Sequence, residues 1–282
     1  MTDAAGLAGV LPMLVCPHCC GALTAAESGV VGCRQGHRFD VARQGYLSLL
    51  GPRSRTDTGD SADMVAARRE FLAAGHYLPI ARAVAERVDA GPVVEVGAGP
   101  GYYLGHVLDE LASRGADPRG VALDSSRYAA RRAAAHPQIG SVVADAWSRL
   151  PIADAAAPTV LSIFAPRLAG EFTRILAPGG KLVVVTPHPD HLAEIRGTLG
   201  MLTIDQGKPE RLASAFDGML SPAGRTDLRR QLRLSRPDLS ALVRMGPSAR
   251  HVDPGALAAC LQTLDDVTPV TLAVTVSVLE RR

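Results

Sequence analysis

Between residues 92 and 187, short apolar runs alternate with segments of helical character, and this alternation is what most restricts the fold. Runs rich in β-branched residues predict five strands, at 92–101 with a glycine-rich end, 120–126, 141–147, 159–166 and 181–187. Strands that alternate with helices form βαβ units, and such units build a parallel sheet. Two further predicted strands, DLRRQLRLS and PVTLAVTVSVLE, enclose a helical stretch near the end of the sequence. We therefore predict an α/β protein whose mainly parallel sheet ends in an antiparallel strand.

The sequence before this sheet divides into several predicted parts. Residues 1–15 are small and apolar and are expected to form a loose arm. Residues 51–63, GPRSRTDTGDSAD, have the composition of a mobile linker. Two helices follow, one ending near residue 73 with Ser61 or Asp63 as its cap and one over 78–89. The predicted domains are an N-terminal module over 1–50, a linker with helices over 51–90, and a main domain over 91–282.

Cysteine content and the first residues indicate the cellular compartment. Five cysteines in 282 residues are too few for a disulfide scaffold. The first fifteen residues contain Asp3 and no Lys or Arg, so they lack the basic region of a secretory signal. No apolar run approaches the roughly 20 residues that a membrane helix requires. We therefore expect a cytoplasmic protein that does not associate with membranes.

Four of the cysteines lie close together, in the spacing Cys16-x2-Cys19-x13-Cys33-x3-His37. Thiolates and imidazole are preferred zinc ligands, and four of them close a tetrahedral structural site. A redox-active Cys-x-x-Cys pair is the alternative, but it would leave Cys33 and His37 unexplained. Cys20 competes with Cys19 as a ligand, although the proline after Cys16 favours Cys19. The spacing thus predicts a structural zinc ion that folds about 35 residues too few to bury a core alone.

Positive charge is almost entirely arginine, although the formal net charge is only +2. Five arginines lie between residues 34 and 55 against the single acid Asp40, and a second arginine group lies between 225 and 236. The planar guanidinium can bind phosphate in a bidentate manner, so the first group is a candidate nucleic-acid contact. The alternative is a GC-rich genome, which favours arginine codons throughout the chain.

The segment Glu95-Val96-Gly97-Ala98-Gly99-Pro100-Gly101 follows a predicted strand and opens a predicted helix. Its glycines permit a tight turn and let the backbone approach a ligand closely. A dinucleotide-binding turn would need glycine where Tyr102 stands, whereas E-x-G-x-G-x-G resembles motif I of S-adenosylmethionine-dependent methyltransferases. This resemblance implies a class I, Rossmann-like methyltransferase fold in which this turn, including Glu95 and Gly97, holds the amino-acid end of the cofactor. It also implies that Asp124 binds the ribose hydroxyls and Asp145 the adenine amine; the alternative is that both acids cap helices.

Further motifs follow in chain order: CPHC…C…GH-x-FDVARQGY, TGDSADMVAARREFLAAGHY, the glycine turn, IFAP and TPHPDHL. Over residues 16–280 this series resembles the bacterial 23S ribosomal RNA guanine-N1 methyltransferases, a family that includes the tylosin-resistance methyltransferases. The resemblance implies a zinc module, a homodimer, methylation of a guanine in a domain II hairpin near the peptide exit tunnel, and macrolide resistance. It also implies that Tyr77 and His191 contact S-adenosylmethionine together with Gly99 and Pro100. Without it, Tyr77 would be interpreted as packing between helices and His191 as solvated.

Methylation at N1 of guanine requires a general base, because that nitrogen carries a proton at neutral pH. The sequence does not identify the base. Asp60, Asp63 and His76 are the candidates, since they lie in the stretch that precedes the glycine turn and is specific to the family. Apart from the base, most of the rate enhancement can come from alignment of the nucleophile with the methyl group.

RNA contacts are expected both in the methyltransferase domain and in the zinc module. Phe164, in IFAP at the end of the fourth strand, is a candidate to stack on a flipped base; the alternative is a core position. MGPSARH, 245–251, is a candidate pocket wall. The zinc module is expected to grip the phosphates of the hairpin through Arg34, Arg38 and Arg43, since RNA is read largely by shape.

Two other functions remain open at this point. A small-molecule methyltransferase with a structural zinc module would need an enclosed apolar pocket and would act without RNA. A non-catalytic RNA- or protein-binding module would keep the fold without binding the cofactor. The intact glycine turn and the two acids at strand ends favour an active enzyme over this second alternative.

Overall fold

The structure is a computed structural model that describes residues 5–51, 54–55, 59–165, 168–202 and 215–282. Within these ranges the strands are β1 Leu23–Glu27, β2 Val30–Cys33, β3 Arg38–Asp40, β4 Leu47–Ser48, β5 Val93–Val96, β6 Gly120–Asp124, β7 Ile139–Val143, β8 Ala157–Ile163, β9 Leu176–Pro187, β10 Ser221–Ser235 and β11 Val267–Glu280. The helices are α1 Ala5–Val10, α2 Ala62–Ala73, α3 Leu78–Ala85, α4 Tyr102–Ser113, α5 Arg127–Ala133, α6 Ala169–Ile175, α7 Ala193–Arg196, α8 Arg236–Arg244 and α9 Pro254–Gln262.

The main sheet has eight strands in the order β10-β11-β9-β8-β5-β6-β7-β4. The strands from β9 to β4 pair in parallel, while β11 pairs antiparallel with β9 and β10 antiparallel with β11. The predicted α/β fold is confirmed, and its final strand β11 is antiparallel to the parallel strands, as expected, with β10 pairing at its outer edge. The chain leaves β5 toward β6 and later returns to β8 on the other side of β5. Ligands bind at such a reversal, beside the carboxyl ends of the strands.

Side-chain hydrogen bonds explain where two elements begin or end. Ser61 caps α2, since its hydroxyl oxygen accepts a hydrogen bond from the backbone N–H of Met64 at 3.2 Å. Of the two predicted caps, Ser61 and Asp63, the structure therefore selects Ser61. The strand predicted over 141–147 instead ends at Val143. The Asp145 carboxylate accepts the backbone N–H of Trp147 at 2.9 Å and thereby closes a turn.

The N-terminal arm is packed into the molecule, so the prediction of a loose arm over 1–15 is wrong for the described part. Leu7, Val10 and Leu14 are buried in one apolar cluster with strands β6 and β7. A Cβ atom at Gly140, in β7, would lie 2.1 Å from Val10 Cγ2, so α1 approaches the strand closely. Small and apolar residues here form a helix that covers one face of the sheet.

The N-terminal module contains a separate antiparallel sheet in the order β1-β2-β3. The chain then returns through β4, which pairs in parallel with β7 at Leu47 and Ser48. On the entry side, Leu14 forms an antiparallel bridge with Ile152. The chain is therefore attached to the connection between β7 and β8 before the small sheet and to the large sheet after it.

None of the helices in the described ranges combines the length and apolar character needed to cross a membrane.

Candidate active site and metal centre

The glycine turn between β5 and α4 lies at the point where the sheet order reverses. Gly97, Gly99 and Gly101 have φ values of +72°, +54° and +80°, a region that favours glycine. A Cβ atom at Gly97 would also lie 2.6 Å from the Ala165 Cβ atom. The turn therefore needs glycine for its backbone conformation and for its contact with the end of β8.

Glu95 lies beneath this turn and is buried. Its Oε2 atom accepts the backbone N–H of Leu104 at 3.0 Å, in the first turn of α4. Burial raises the pKa of Glu95 to about 8, so the carboxyl group is largely protonated at neutral pH. In the structure, Glu95 therefore supports the turn from behind as a neutral group.

Asp124 ends β6 and contacts the glycine turn directly. One carboxylate oxygen accepts the backbone N–H of Gly99 at 2.8 Å and the other that of Ser126 at 2.8 Å. Burial raises the pKa of Asp124. Ser126 caps α5, so capping does not account for Asp124. This position is consistent with the ribose contact that the resemblance implies.

Asp145 follows β7 and is buried. Its Oδ2 atom accepts the backbone N–H of Arg55 at 2.9 Å, and its Oδ1 atom accepts that of Trp147. The segment predicted as a linker therefore reaches across the carboxyl end of the sheet. Farther along it, the Asp60 carbonyl oxygen accepts the Ser126 hydroxyl at 2.6 Å. The described residues of this segment thus form one side of the site.

A cavity of about 50 Å³ lies beside the glycine turn. Its lining includes residues 97–100 of the turn together with Arg68, Tyr77, Phe164 and Met245. The structure thus brings Tyr77, Gly97, Gly99 and Pro100 together around one cavity. A separate cleft of about 640 Å³ lies between α2, α8 and α9.

Tyr77 and His191 form a buried hydrogen-bonded pair, with Tyr77 Oη 3.2 Å from His191 Nε2. The other ring nitrogen, Nδ1, accepts the backbone N–H of Ala273 at 3.3 Å. Burial lowers the pKa of His191 to about 4, so the ring is neutral and its single proton is on Nε2. His191 Nε2 therefore donates to Tyr77 Oη, and the Tyr77 hydroxyl proton remains available to another acceptor. His191 is not the solvated residue that its sequence context alone suggested.

Phe164 adopts φ = +54° at the end of β8. Its ring stacks on His191 with 6.1 Å between centroids and lies 6.2 Å from Tyr77. A positive φ is unusual for an aromatic residue and is concentrated at functional sites. The side chain is 37% exposed, so Phe164 lies at the mouth of the cavity and outside the core. Pro166 of the IFAP motif lies outside the described residues.

The three candidate bases lie in different surroundings. Asp60 accepts a hydrogen bond from Arg68 Nη2 at 2.6 Å and is therefore next to the cavity lining. Asp63 lines the larger cleft. His76 Nε2 lies 3.0 Å from Oδ1 of Asp238, a residue of α8. Asp60 is thus the candidate placed beside the glycine turn.

Arg68 lines the cavity although no sequence motif indicated it. It lies on α2, and a Cβ atom at Gly99 would be 3.5 Å from Arg68 Cδ. In the sequence it resembles its neighbour Arg69, which is exposed. The signal that separates them is helical position, because Arg68 shares the inward face of α2 with Met64 and Leu72.

The N-terminal module brings Cys16, Cys19, Cys33 and His37 together, with all four ligand atoms within 4.8 Å of one another. Cys19 Sγ lies 3.6 Å from Cys33 Sγ, and His37 Nδ1 lies 3.5 Å from Cys16 Sγ and 3.3 Å from Cys33 Sγ. A tetrahedral zinc ion with bonds of about 2.3 Å to sulfur and 2.0 Å to nitrogen requires similar separations. The donor set therefore fits zinc.

Cys20 lies outside this group. It is exposed and has φ = +58°, so it follows the metal-binding turn without entering the cluster. Cys260 lies on α9, in another part of the fold. Of the two cysteines that competed as ligands, the geometry thus favours Cys19 over Cys20.

The three candidate RNA-binding arginines lie on the surface of this module. Arg34, Arg38 and Arg43 are all exposed, and Arg38 forms an ion pair of 2.6 Å with Glu27. Both members of that pair are more than half exposed, so the pair contributes little to stability and can be exchanged for another anion.

Comparisons with known proteins agree with these observations. The zinc-ribbon family model described as "RlmA, N-terminal" matches residues 14–54. A Streptomyces fradiae protein named 23S rRNA (guanine(748)-N(1))-methyltransferase is 44% identical over 95% of this chain and 97% of its own length. A Micromonospora griseorubida protein assigned as a 23S rRNA (guanine-N(1)-)-methyltransferase is 44% identical over 94% of this chain and 96% of its own. The similarly assigned YxjB of Bacillus subtilis is 31% identical over 65% of this chain and 67% of its own.

Proposed function

The chain belongs to the family of 23S rRNA (guanine-N1)-methyltransferases, and from this premise we propose that it methylates N1 of a guanine in a domain II hairpin of 23S rRNA, near the peptide exit tunnel. The observation that carries this proposal is the cavity at the glycine turn, which has Phe164 at its mouth and Tyr77, hydrogen-bonded to His191, in its wall. S-adenosylmethionine is the cofactor, and the zinc ion of the ribbon is structural. Because its proposed substrate is ribosomal RNA, we propose that the enzyme is cytoplasmic.

The residues around the glycine turn fit S-adenosylmethionine, which when bound supplies a methyl group on a positively charged sulfur. We propose that Gly97, Gly99 and Pro100 hold its amino-acid end and that Asp124 accepts hydrogen bonds from its ribose. Both Asp145 oxygens already accept backbone N–H groups, so Asp145 would meet the adenine amine through a remaining lone pair. Tyr77 Oη accepts a hydrogen bond from His191 Nε2, so its own hydroxyl proton is free to be donated into the cavity.

For the target base, the enzyme has to supply alignment and removal of a proton. Transfer forms the bond between N1 and the methyl carbon, breaks the bond from that carbon to sulfur, and releases the N1 proton. Phe164 is proposed to stack on the flipped guanine, because its ring is exposed at the cavity mouth and its conformation is held by the end of β8. Asp60 is the proposed proton acceptor, since it lies beside Arg68 at the same site.

We further propose that the zinc ribbon grips the hairpin through Arg34, Arg38 and Arg43. Replacing the three with alanine should weaken RNA binding and reduce its dependence on salt, because fewer counterions are released. Affinity for S-adenosylhomocysteine should not change. RNA binding that keeps its strength and its salt dependence would contradict this assignment.

The activity can be tested by reverse transcription of 23S rRNA after incubation with the protein and S-adenosylmethionine. Methylation at N1 blocks base pairing, so one new stop in domain II is expected, and its position identifies the guanine. The position named for the Streptomyces fradiae relative, 748, provides the comparison. Methyl transfer to a small molecule in the absence of RNA, with no new stop, would contradict the proposal.

Two properties implied by the resemblance complete the proposal: a homodimer and resistance to macrolides of the tylosin type. Light scattering of the purified protein should give twice the mass of one chain. A susceptible host that expresses the gene should tolerate more tylosin than the same host with an inactive variant. Equal susceptibility despite complete methylation would contradict the resistance role.

A further inference from the structure

We propose that Arg68 binds the carboxylate of S-adenosylmethionine. This inference rests on the proposed function only in taking that molecule as the cofactor. Arg68 enters the site from α2, and its Cδ and Nε atoms would lie 3.5 and 3.9 Å from a Cβ atom at Gly99. The side chain therefore lies against the part of the glycine turn where the amino-acid end of the cofactor is expected.

Arg68 carries a donor that is buried without a partner. Its Nη2 atom donates to Asp60 Oδ2 and to the Met245 carbonyl oxygen, both at 2.6 Å. Its Nε atom is buried and has no hydrogen-bond partner among the described residues. A buried donor without an acceptor is costly, and such groups in native structures usually mark a water or a ligand. An oxygen atom in the cavity would satisfy it.

The charges around the cavity also favour an anion at this position. Among the described residues that line it, Arg68 is the one with a positive charge. That charge lowers the pKa of Tyr77, of Tyr103 and of Asp124, against the larger effect of burial, so it acts on the whole site. Guanidinium groups bind carboxylates strongly, through charge-assisted hydrogen bonds.

The bonds to Asp60 and Met245 hold the guanidinium in place before any ligand arrives. Met245 follows α8, so Arg68 connects the helix before the sheet to the helix between the last two strands. Asp60 in turn is attached through its carbonyl oxygen to the Ser126 hydroxyl, beside Asp124. A preorganised donor loses little freedom on binding, which improves affinity.

The test compares two ligands that differ only in the carboxylate: S-adenosylmethionine and decarboxylated S-adenosylmethionine. Isothermal titration calorimetry of the full chain should show that Arg68→Gln weakens binding of the first by roughly 10- to 100-fold, the effect of a charge-assisted hydrogen bond. Binding of the decarboxylated ligand should not weaken. Arg69→Gln, an exposed change on the same helix, is the matched control and should leave both affinities as they are.

Equal weakening of both ligands by Arg68→Gln would overturn the inference, since Arg68 would then only support the fold. No effect on either ligand would overturn it as well. If Arg68→Gln does not fold, Arg68→Lys provides the test. Lysine keeps the positive charge and lacks the paired N–H donors of the guanidinium. The preference for S-adenosylmethionine over the decarboxylated ligand should therefore decrease without disappearing. A wild-type protein that prefers neither ligand also contradicts the inference. If Arg68→Gln loses the preference for S-adenosylmethionine but the wild-type protein does not methylate RNA, the inference about Arg68 stands and only the proposed function is contradicted.

Discussion

At the scale of single residues, Phe164 combines three properties that a packing role does not explain together. Its φ of +54° is one that aromatic residues rarely adopt, its ring is partly exposed, and it stacks against a buried neutral histidine. Strain of this kind persists only where the surroundings impose it. The end of β8 supplies that restraint, because the Phe164 backbone N–H donates to the Val185 carbonyl oxygen at 3.2 Å.

Replacing Phe164 with glycine should remove the ring without disturbing the turn, because glycine adopts positive φ at little cost. A base stacked on an aromatic ring gains about 1–3 kcal/mol, so kcat/KM for the RNA should fall roughly 5- to 150-fold. Phe164→Tyr keeps the ring and should retain most of the activity. Single-turnover methylation assays provide the measurement, and an active Phe164→Gly enzyme would exclude the stacking role.

Glu95 should make the stability of the cofactor-free protein depend on pH. Its pKa is about 8 in the fold against 4.5 when unfolded, so the folded state binds more protons and stability falls as pH rises between these values. Relative to Glu95→Gln, wild-type stability should fall by about 1.4 kcal/mol per pH unit in that window. Urea unfolding at pH 5.5 and pH 7.5 measures this. Parallel changes in the two proteins would show that Glu95 is ionised in the fold.

The contrast between Asp124 and Arg68 shows which site residues a sequence can reveal. Asp124 was predicted through the resemblance to methyltransferases, in which an acid at the end of the second strand binds the cofactor, and in the structure its carboxylate contacts the glycine turn. Arg68 reaches Gly99 only through the packing of α2 against the turn. Helical spacing places Arg68 on the buried face with Met64 and Leu72 and so separates it from Arg69, but it does not show which part of the fold that face packs against.

At the scale of elements, α1 is the part of the fold for which sequence reasoning failed. Its six residues are too few to form a helix in isolation, so the helix depends on the sheet beneath it. Gly6 and Gly140 allow that contact, since a Cβ atom at Gly6 would lie 2.4 Å from the Ile139 carbonyl oxygen. The strands were predictable because their pattern is local, whereas the helix is specified by what it covers.

Gly140→Ala should therefore destabilise the protein by about 1–3 kcal/mol, as an overpacked core contact does. The new Cβ atom would lie 2.1 Å from the buried Val10 Cγ2. Gly170→Ala in α6, where a Cβ atom would meet nothing within 4 Å, is the matched control and should be neutral or stabilising. Val10→Ala should lessen the cost of Gly140→Ala in a double-mutant cycle. Additive effects, measured by chemical denaturation, would mean that α1 does not press on the strand.

At the scale of the whole molecule, the zinc ribbon lies between two attachments to the main domain. Leu14 bridges to Ile152 before the ribbon, and Leu47 pairs with Val142 after it. Within the ribbon, Cys16, Leu23 and Val31 are the buried apolar residues, which is too small a set to stabilise a fold without metal. The ribbon is thus positioned by the methyltransferase domain and folded by its own zinc ion.

Removal of zinc should consequently abolish methylation of 23S rRNA without abolishing binding of the cofactor. Cys19→Ser, or chelation, should unfold the segment between residues 15 and 46, because binding of a structural zinc ion contributes about 10–16 kcal/mol to folding such a module. Cys20→Ser should keep full zinc, since that thiol lies outside the cluster. Limited proteolysis with mass spectrometry should find new cleavage sites confined to this segment.

S-adenosylhomocysteine should still bind to the zinc-free protein, because the cavity lining comes from residues 68 onward, while methylation of 23S rRNA should be lost. If zinc loss abolished cofactor binding instead, the ribbon would be needed for the main sheet itself, and its position as an RNA grip would be secondary to that role.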